Sequence, residues 1–383
     1  MIGKTYAGEL STYKDAETNA TITKLTNTSN NFHFYFTDNS FMKDDKEILF
    51  LSDRGAKEEN IFNFFKMDLA SGEMTCLSNE TDIIPNRYTK TPNGDVVIYV
   101  SGDEIKKLDV KNGKTTVIYK NYGTWDIGAT SISCDNEYLI FLENEKSDIP
   151  ANLPNYGGFM DRMFETKKCR IMLISMNGGN AEKIYEDTHY STHIQFSPTV
   201  PYIATYCHEG PWNLVHQRIW IINLLTRTAM PCARQGASDC IGHEFWTTDG
   251  LIFFENRREG HDGTITEDKT QAYVKNEDIS KDLLPYVGIA DHNGNILRTI
   301  DMPVYCNHYH ANKNNSLLVG DAASHIMLID ISSKEAKAKE LCTHNTSWRT
   351  QTSHCHPTFG WNSNKILYTS DTGGKLNIYL TEV

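Results

Sequence analysis

The feature of this sequence that most limits its possible folds is a repeated unit of four short apolar segments, with a period of roughly 50 residues. In each unit an aromatic-rich segment ends in a turn, two apolar segments end near Asp, Asn or Ser, and a β-branched segment follows a glycine turn. The first copy covers Phe32–Leu77 and the second Arg87–Tyr119. Such runs, separated by Asn, Asp and Gly, are typical of β-strands, so each copy predicts a unit of four strands.

Five further copies follow, and two of them carry insertions. The copies are Ala129–Tyr185, His193–Cys232, His243–Ile300, His308–Cys342 and His356–Leu380. The third is interrupted by a long insertion between Asn144 and Arg170, and the fifth by a polar insertion at Gly260–Leu284. The seventh copy has only three strands, which we predict at His356–Trp361, Lys365–Ser370 and Leu376–Leu380.

The missing strand has a source at the other end of the chain. Thr21–Thr26 reads as an outer strand with no unit before it, so it can complete the seventh unit and close a ring. The sequence therefore predicts an all-β chain folded as a seven-bladed β-propeller, a single domain over residues 1–383, with the ring closed by the N-terminal strand. Two stacked β-sandwiches would leave that strand unexplained.

Charge and cysteine content narrow the function. The formal net charge is −12 and no dense Lys/Arg cluster occurs, so we expect no nucleic-acid partner. The N-terminus lacks the apolar core of a signal peptide and no apolar run is long enough for a bilayer, so we expect a soluble, cytoplasmic protein with no membrane partner. The nine cysteines are scattered without a Cys-x-x-Cys pair, which favours small buried side chains over disulfides or zinc ligands.

Residues 348–357 are the strongest candidate for a metal site. If this stretch runs as a strand, His354 and His356 point to one side and Cys355 to the other. Gln351 would need a bend at the strand entrance to bring its amide oxygen to the same ion. A lone His-x-His pair is more often an ordinary polar strand end, so the interpretation depends on a further ligand from elsewhere.

The repeat supplies candidates for that ligand. The first strand of each blade lines the central channel of a propeller, and His193, His243 and His308 stand at or near the starts of such strands. His308 is one candidate, and His310 competes with it because the two would share a strand face. Three imidazoles and an amide form a neutral ligand set, which suits manganese, iron, nickel or zinc.

Three other residues have a structural interpretation as well as a functional one. His208 lies in a turn after a blade-four strand, where capping the turn is the simpler role. Arg218 opens the next strand, and His243 stands at a strand start, where structural histidines are common.

Four motifs occurring in order resemble those of the oligogalacturonate lyase family. They are Cys-His-Glu-Gly-Pro-Trp at 207–212, Gln-Arg-Ile-Trp-Ile-Ile-Asn at 217–223, Gly-His-Glu-Phe-Trp at 242–246, and Gln-x-x-His-x-His-Pro at 351–357. Each motif alone is weak, but the resemblance extends over essentially the whole length. It implies a lyase that cleaves short galacturonate oligomers, chiefly the unsaturated dimer, by β-elimination, with manganese as the usual metal.

The resemblance also implies roles for single residues. The metal ligands fall on His308, Gln351, His354 and His356, where the choice of His308 rests on aligning His308 through Asp321 with a strand of the family. His310 stands where the family tends to have Asn, which leaves it as a neighbouring group or a substitute ligand.

Catalysis and substrate binding complete the implied site. The general base falls on His243 and the catalytic arginine on Arg218, where a guanidinium can hold a uronate carboxylate in a bidentate fork. We expect His193, His208 and His310 to contact the substrate.

Two alternatives come from other classes of protein. A non-catalytic, TolB-like propeller that docks proteins gives no reason for His308, Gln351, His354 and His356 to converge. A prolyl-peptidase-like enzyme needs a Gly-x-Ser-x-Gly nucleophile turn, which the sequence does not contain.

Overall fold

The computed structural model describes residues 1–123, 125–149, 157–257 and 285–383. The insertion expected at Gly260–Leu284 lies outside the described residues. Within these ranges, seven antiparallel β-sheets form the blades of a ring, as the sequence predicted. No helix in the described ranges is long and apolar enough to span a membrane.

The N-terminal segment and the first three blades contain the following elements. The chain begins with β1 (Thr5–Tyr6), β2 (Ser11–Lys14) and β3 (Thr21–Lys24). Blade one then contains β4 (Asn31–His33), β5 (Glu47–Ser52), β6 (Asn63–Asp68) and β7 (Met74–Cys76). Blade two contains β8 (Ile83–Lys90), β9 (Val96–Ser101), β10 (Glu104–Asp109) and β11 (Lys114–Lys120). Blade three contains β12 (Trp125–Ile132), β13 (Tyr138–Glu145), β14 (Cys169–Ser175) and β15 (Glu182–Asp187), with the short helix α1 (Phe159–Glu165) in its insertion.

The last four blades follow the same plan. Blade four contains β16 (Ser191–Phe196), β17 (Ile203–His208), β18 (Ile219–Asn223) and β19 (Thr228–Pro231). Blade five contains β20 (Ile241–Trp246), β21 (Ile252–Asn256), β22 (Tyr286–Ala290) and β23 (Ile296–Asp301). Blade six contains β24 (Tyr309–Ala311), β25 (Leu317–Asp321), β26 (His325–Asp330) and β27 (Lys337–Thr343). A 3₁₀ helix at Gln351–Ser353 leads into blade seven, which contains β28 (Thr358–Phe359), β29 (Lys365–Ser370) and β30 (Asn377–Glu382).

Ring closure follows the prediction from the leftover strand. β3 pairs antiparallel with β30, with Ile22 opposite Thr381, and so becomes the fourth strand of blade seven. β2 adds a fifth strand outside it, while β1 pairs with β7 on the outer edge of blade one. The first 24 residues therefore pair through main-chain hydrogen bonds with both blade one and blade seven, the two blades that meet where the ring closes.

The apolar core is divided among the blade interfaces. The described residues form seven buried clusters, and each joins two adjacent sheets. Between blades one and two, for example, Phe34 and Phe64 pack with Val97 and Tyr99. Alternating apolar residues on both faces of each sheet supply these contacts, because every blade is covered by a neighbour on either side.

The innermost strands are shorter than the sequence suggested. The strand predicted at His356–Trp361 is only Thr358–Phe359, and the one expected from Phe32 onward is only Asn31–His33. Residues 354–357 have no regular secondary structure, and His356 adopts a left-handed backbone conformation with φ of 44°. Strand alternation is therefore the wrong reason for grouping His354 with His356, although the bend expected at Gln351 is present as a 3₁₀ helix.

Candidate functional site

Three histidines from blades six and seven meet at one end of the channel. The ligand atoms of His308, His354 and His356 all lie within 4.8 Å of one another, and the three side chains are buried. The ring centroids of His308 and His356 are 4.3 Å apart. Burial holds the pKa values of His354 and His356 well below 6.5, so both rings are neutral near pH 7 and keep a lone pair for a metal ion.

His308 is oriented by a buried carboxylate. Its Nδ1 donates to Oδ2 of Asp321 at 2.9 Å, and its backbone N–H donates to Oδ1 of the same residue at 2.6 Å. A histidine held at Nδ1 presents Nε2 to a metal, which is the usual arrangement of protein metal sites. Asp321 ends β25, so the strand next to β24 fixes the ring.

His356 supplies an independent indication that a cation fits here. Its Nε2 is buried and has no hydrogen-bond partner among the described residues. Leaving such a group unsatisfied costs about 1–3 kcal/mol, which a bound ion would offset. The backbone carbonyl of His356 accepts a 2.7 Å hydrogen bond from Nε2 of His33, which holds the left-handed turn in place.

Gln351 lies in the 3₁₀ helix that precedes these histidines. Thr350 caps the helix, and the Thr350 N–H donates to the Ser353 hydroxyl at 3.0 Å. The Gln351 side chain lines the same cavity as His193 and His243. The three buried imidazoles of His308, His354 and His356 therefore form a donor set that fits a divalent metal, and Gln351 lies in the short helix that precedes two of them.

The cavity has a volume of about 290 Å³ and draws its walls from several blades. Tyr35 enters from blade one, with its ring centroid 4.6 Å from that of His356 and 5.6 Å from that of His193. Arg87 and Asp126 from blades two and three form a paired wall, with N–O distances of 2.7 and 2.8 Å. A polar cavity with both signs of charge suits a hydroxylated, acidic ligand better than an apolar one.

His243 is the imidazole nearest to the histidine group. Its ring centroid is 4.4 Å from that of His308, and its Nδ1 is 2.6 Å from Oε1 of Glu255. Burial and the neighbouring His308 lower its pKa well below 6.5. A β-bulge in β20, where the register with β21 shifts between Ile241 and Glu244, directs the His243 side chain.

Arg218 is fully buried between two glutamates. Its Nη1 is 2.8 Å from Oε1 of Glu209, and its Nε is 3.3 Å from Oε2 of Glu244. Burial raises the pKa of both glutamates and Arg218 lowers it. For Glu209 the contact with Arg218 prevails and the pKa is about 2, whereas for Glu244 burial outweighs the weaker contact and raises the pKa to about 7. The bidentate fork expected for a substrate carboxylate is thus directed at Glu209.

The remaining candidate residues are divided among three environments. His193 lines the cavity with Nε2 3.5 Å from Oε2 of Glu209, and burial lowers its pKa to about 4. His208 instead bonds Asp187 at 2.9 Å and lines a separate cavity, and its expected contact with substrate stays a prediction. His310 stands between Phe245 and Phe359, and its Nδ1 accepts the Phe359 N–H at 3.2 Å, which places it one layer below the cavity.

The whole chain matches one known protein family. The family model for oligogalacturonate lyase matches residues 1–383. The chain belongs to that family. It is therefore an enzyme of the lyase class. Among relatives, the oligogalacturonide lyase of Pectobacterium atrosepticum is 26% identical over 97% of this chain and 95% of its own length. The oligogalacturonate lyase of Dickeya dadantii is 24% identical over 100% and 98%.

Solved structures of the family share the propeller. An oligogalacturonate lyase in complex with manganese has a TM-score of 0.84 and 23% identity, covering 100% of this chain and 98% of its own. The oligogalacturonate lyase of Vibrio parahaemolyticus has a TM-score of 0.85 at 23% identity, covering 100% and 99%. A dipeptidyl peptidase 4 from Porphyromonas gingivalis has a TM-score of only 0.54 at 12% identity, and the match covers 98% of this chain and 58% of the peptidase.

Proposed function

We propose that this lyase cleaves short oligogalacturonates, chiefly the unsaturated dimer, by β-elimination to 5-dehydro-4-deoxy-D-glucuronate. One observation supports this most strongly: His243, which lines a polar cavity, stands against a group of three buried imidazoles, those of His308, His354 and His356. Elimination needs both a base and a cation that neutralises the uronate carboxylate, and these residues supply both functions side by side.

We propose His308, Gln351, His354 and His356 as the residues that hold a divalent ion. Their donors are neutral, so the full charge of the ion is available to a substrate anion. When bound, the ion would act as a Lewis acid toward the substrate carboxylate. Manganese is the proposed metal, since a relative with the same fold binds it.

His243 is the proposed base. The proton on C5 of a uronate is weakly acidic because the adjacent carboxylate carries a negative charge. Nε2 of His243 accepts this proton, the electron pair forms the C4–C5 double bond, and the C4–O bond breaks, with the leaving oxygen taking a proton from water to become a free hydroxyl. The unsaturated monouronates then open at the anomeric carbon, and the resulting C5 enol tautomerises to the ketone of 5-dehydro-4-deoxy-D-glucuronate. The low pKa of His243 keeps the ring unprotonated and ready to act near neutral pH.

Arg218 is proposed to bind substrate while remaining paired with glutamates. Three of its five N–H groups point at Glu209 and Glu244, and the residue lines the cavity. The other N–H groups would meet a substrate oxygen singly, because Glu209 occupies the bidentate position. His193, beside Glu209 at the cavity, is a further proposed substrate contact, and the contacts expected of His208 and His310 stay predictions.

Location and domain organisation belong to the same proposal. All nine cysteines are free, as is usual for proteins of a reducing compartment, which supports a cytoplasmic site of action. The seven interface clusters run continuously from blade to blade, which supports one domain over residues 1–383.

The experiment that tests the function is incubation with unsaturated digalacturonate and Mn²⁺. Turnover should remove the absorbance of the substrate double bond and release the keto-uronate, identified by mass spectrometry. Saturated digalacturonate is the comparison substrate and should turn over more slowly. An unchanged absorbance with verified, manganese-loaded protein would contradict the proposal.

A further inference from the structure

A buried carboxylate stands directly behind the proposed base. Oε1 of Glu255 lies 2.6 Å from Nδ1 of His243, and the Glu255 side chain is only 3% exposed. The two residues come from the neighbouring strands β21 and β20 of blade five, and the bulge in β20 directs His243 toward Glu255. No role for Glu255 follows from the sequence motifs, since it lies outside the 242–246 segment.

The second oxygen of this carboxylate is also engaged. The Tyr305 hydroxyl donates to Oε2 of Glu255 at 3.4 Å, and Nε of Arg257 lies 3.6 Å away. The guanidinium of Arg257 stands 4.0 Å from the Tyr305 ring centroid and 4.4 Å from that of Trp212. Glu255 is thereby held from two sides, and its position relative to His243 is well defined.

The ring of His243 is confined on its faces as well. The Trp212 ring centroid lies 5.3 Å from that of His243 with an interplanar angle of 80°, and the His308 centroid lies 4.4 Å away. Trp212 can come this close because residue 242 is glycine: a Cβ there would lie 1.9 Å from the indole. Because the His243 ring has little room to rotate, the hydrogen-bond partner of Nδ1 decides which ring nitrogen carries the proton.

We propose that Glu255 is a positioning residue that accepts the Nδ1–H of His243 and thereby leaves the lone pair on Nε2, at the cavity edge of the ring. This inference rests on the proposed function, because it assigns to Glu255 the tautomer that a C5 base requires. A neutral imidazole carries one N–H, and a carboxylate at Nδ1 selects which nitrogen has it. A hydrogen-bond donor at the same place would put the proton on Nε2 and disable the base.

Two opposing influences act on the ionised form of Glu255. Burial raises the pKa of Glu255 to about 8, while Arg257 lowers it. A divalent ion held by His308 and its partners would favour the ionised carboxylate further. The positioning role therefore belongs to the metal-loaded enzyme, in which it should be tested.

The test uses three variants of the manganese-loaded protein. Glu255→Gln keeps shape and hydrogen-bonding capacity but its amide can donate to Nδ1. Glu255→Asp keeps the charge and retracts the carboxylate by one methylene. Glu143→Gln is the matched control: it is also buried, on the second strand of blade three, with a 2.6 Å hydrogen bond to Tyr119 and Arg170 at 3.7 Å, and it does not line the cavity.

For Glu255→Gln we expect a loss of kcat of about 10²–10⁴-fold, the range typical of removing base catalysis. KM and bound Mn²⁺ per chain should stay within about threefold, since neither depends on the tautomer. Glu255→Asp should recover part of the lost kcat, and Glu143→Gln should retain all of it.

Several outcomes would overturn the proposal. A kcat of Glu255→Gln within threefold of the unmodified enzyme would show that no positioning is needed, and loss of bound Mn²⁺ would show that Glu255 supports the metal instead. If Glu255→Gln does not fold, Glu255→Asp takes its place. A Glu255→Asp enzyme with the kcat of the unmodified enzyme, whatever its KM, would also refute the positioning role. Failure of the unmodified chain to cleave unsaturated digalacturonate would instead refute the proposed function, so the two failures are distinguishable.

Discussion

His308, which directly precedes β24, and His310, which lies within it, have different environments. Residues two apart in a strand are separated by about 6.6 Å along it. His308 thus reaches His354 and His356, whereas His310 lies one layer deeper against Phe245. The sequence alone left both histidines as candidate ligands. They differ in their neighbours in the fold, which the sequence does not give.

The first prediction follows from this difference in depth. His308→Ala should lose most bound Mn²⁺, because it removes one of three clustered imidazoles. His310→Ala should keep the ion and show only a milder kinetic defect, since it opens a cavity next to Phe245 and Phe359. Metal content per chain, measured by mass spectrometry after gel filtration, distinguishes them. Metal loss in His310→Ala alone would refute the proposed ligand set.

The second prediction concerns the base and its pH dependence. Replacing His243 by Ala should lower turnover by about 10²–10⁴-fold with bound metal retained. A base works in its unprotonated form, which exists above its pKa. Because burial and His308 set the pKa of His243 well below 6.5, kcat should hold as pH falls through 6.5 and decline only at more acidic pH.

The control for that profile is bound metal at each pH. Protonation of His354 or His356 would also release the ion, so the decline in kcat must be followed with Mn²⁺ content in parallel. A kcat that falls with a midpoint near or above 6.5 while metal stays bound would assign the base to another group.

Sequence patterns indicated the candidate ligand residues but not the residues that hold their side chains in place. His354, His356 and Gln351 share a short segment, and repeat phase leads to His308 and His243. The supporting residues Asp321, Glu255 and His33 lie on other strands, and nothing local marks them. Their contacts depend on strand register and on how deeply each side chain is buried, which are properties of the assembled sheet.

At the scale of elements, the four strands of each blade and their order were predictable because each blade repeats one apolar pattern, whereas β1 and β2 lie outside the repeat and were not predicted. The ends of the innermost strands were not. His193 and His356 have φ values of 51° and 44°, and β20 carries a bulge at His243. Such irregularities arise where tertiary contacts override strand preference, and they direct side chains at functional sites.

The third prediction concerns the strand that closes the ring. Ile22 on β3 is fully buried in the cluster between blades six and seven, so Ile22→Ala should lower the free energy of unfolding by about 2–5 kcal/mol. The neighbouring Thr23→Ala is the control and should change it by less than about 0.5 kcal/mol, because Thr23 is only half-buried and lies on the other face. Equal effects in urea unfolding would refute the closure role of Ile22.

At the scale of the whole molecule, the fold and the metal site depend on different interactions. Seven apolar clusters and the paired terminal strands hold the ring, whereas the three histidines proposed as metal ligands form a separate buried group. The fourth prediction is that chelation removes activity but leaves the propeller folded. Circular dichroism of the strand signal should be unchanged after chelator treatment; its loss would mean that the ion holds the blades together.

The claim that cleavage requires a bound divalent ion is tested most directly by titrating metal-free enzyme with manganese while it acts on unsaturated digalacturonate. We expect no turnover in the metal-free chain, an increase in turnover in proportion to bound Mn²⁺, and a plateau at a single ion per chain. Full turnover in a preparation verified to contain no metal would contradict it.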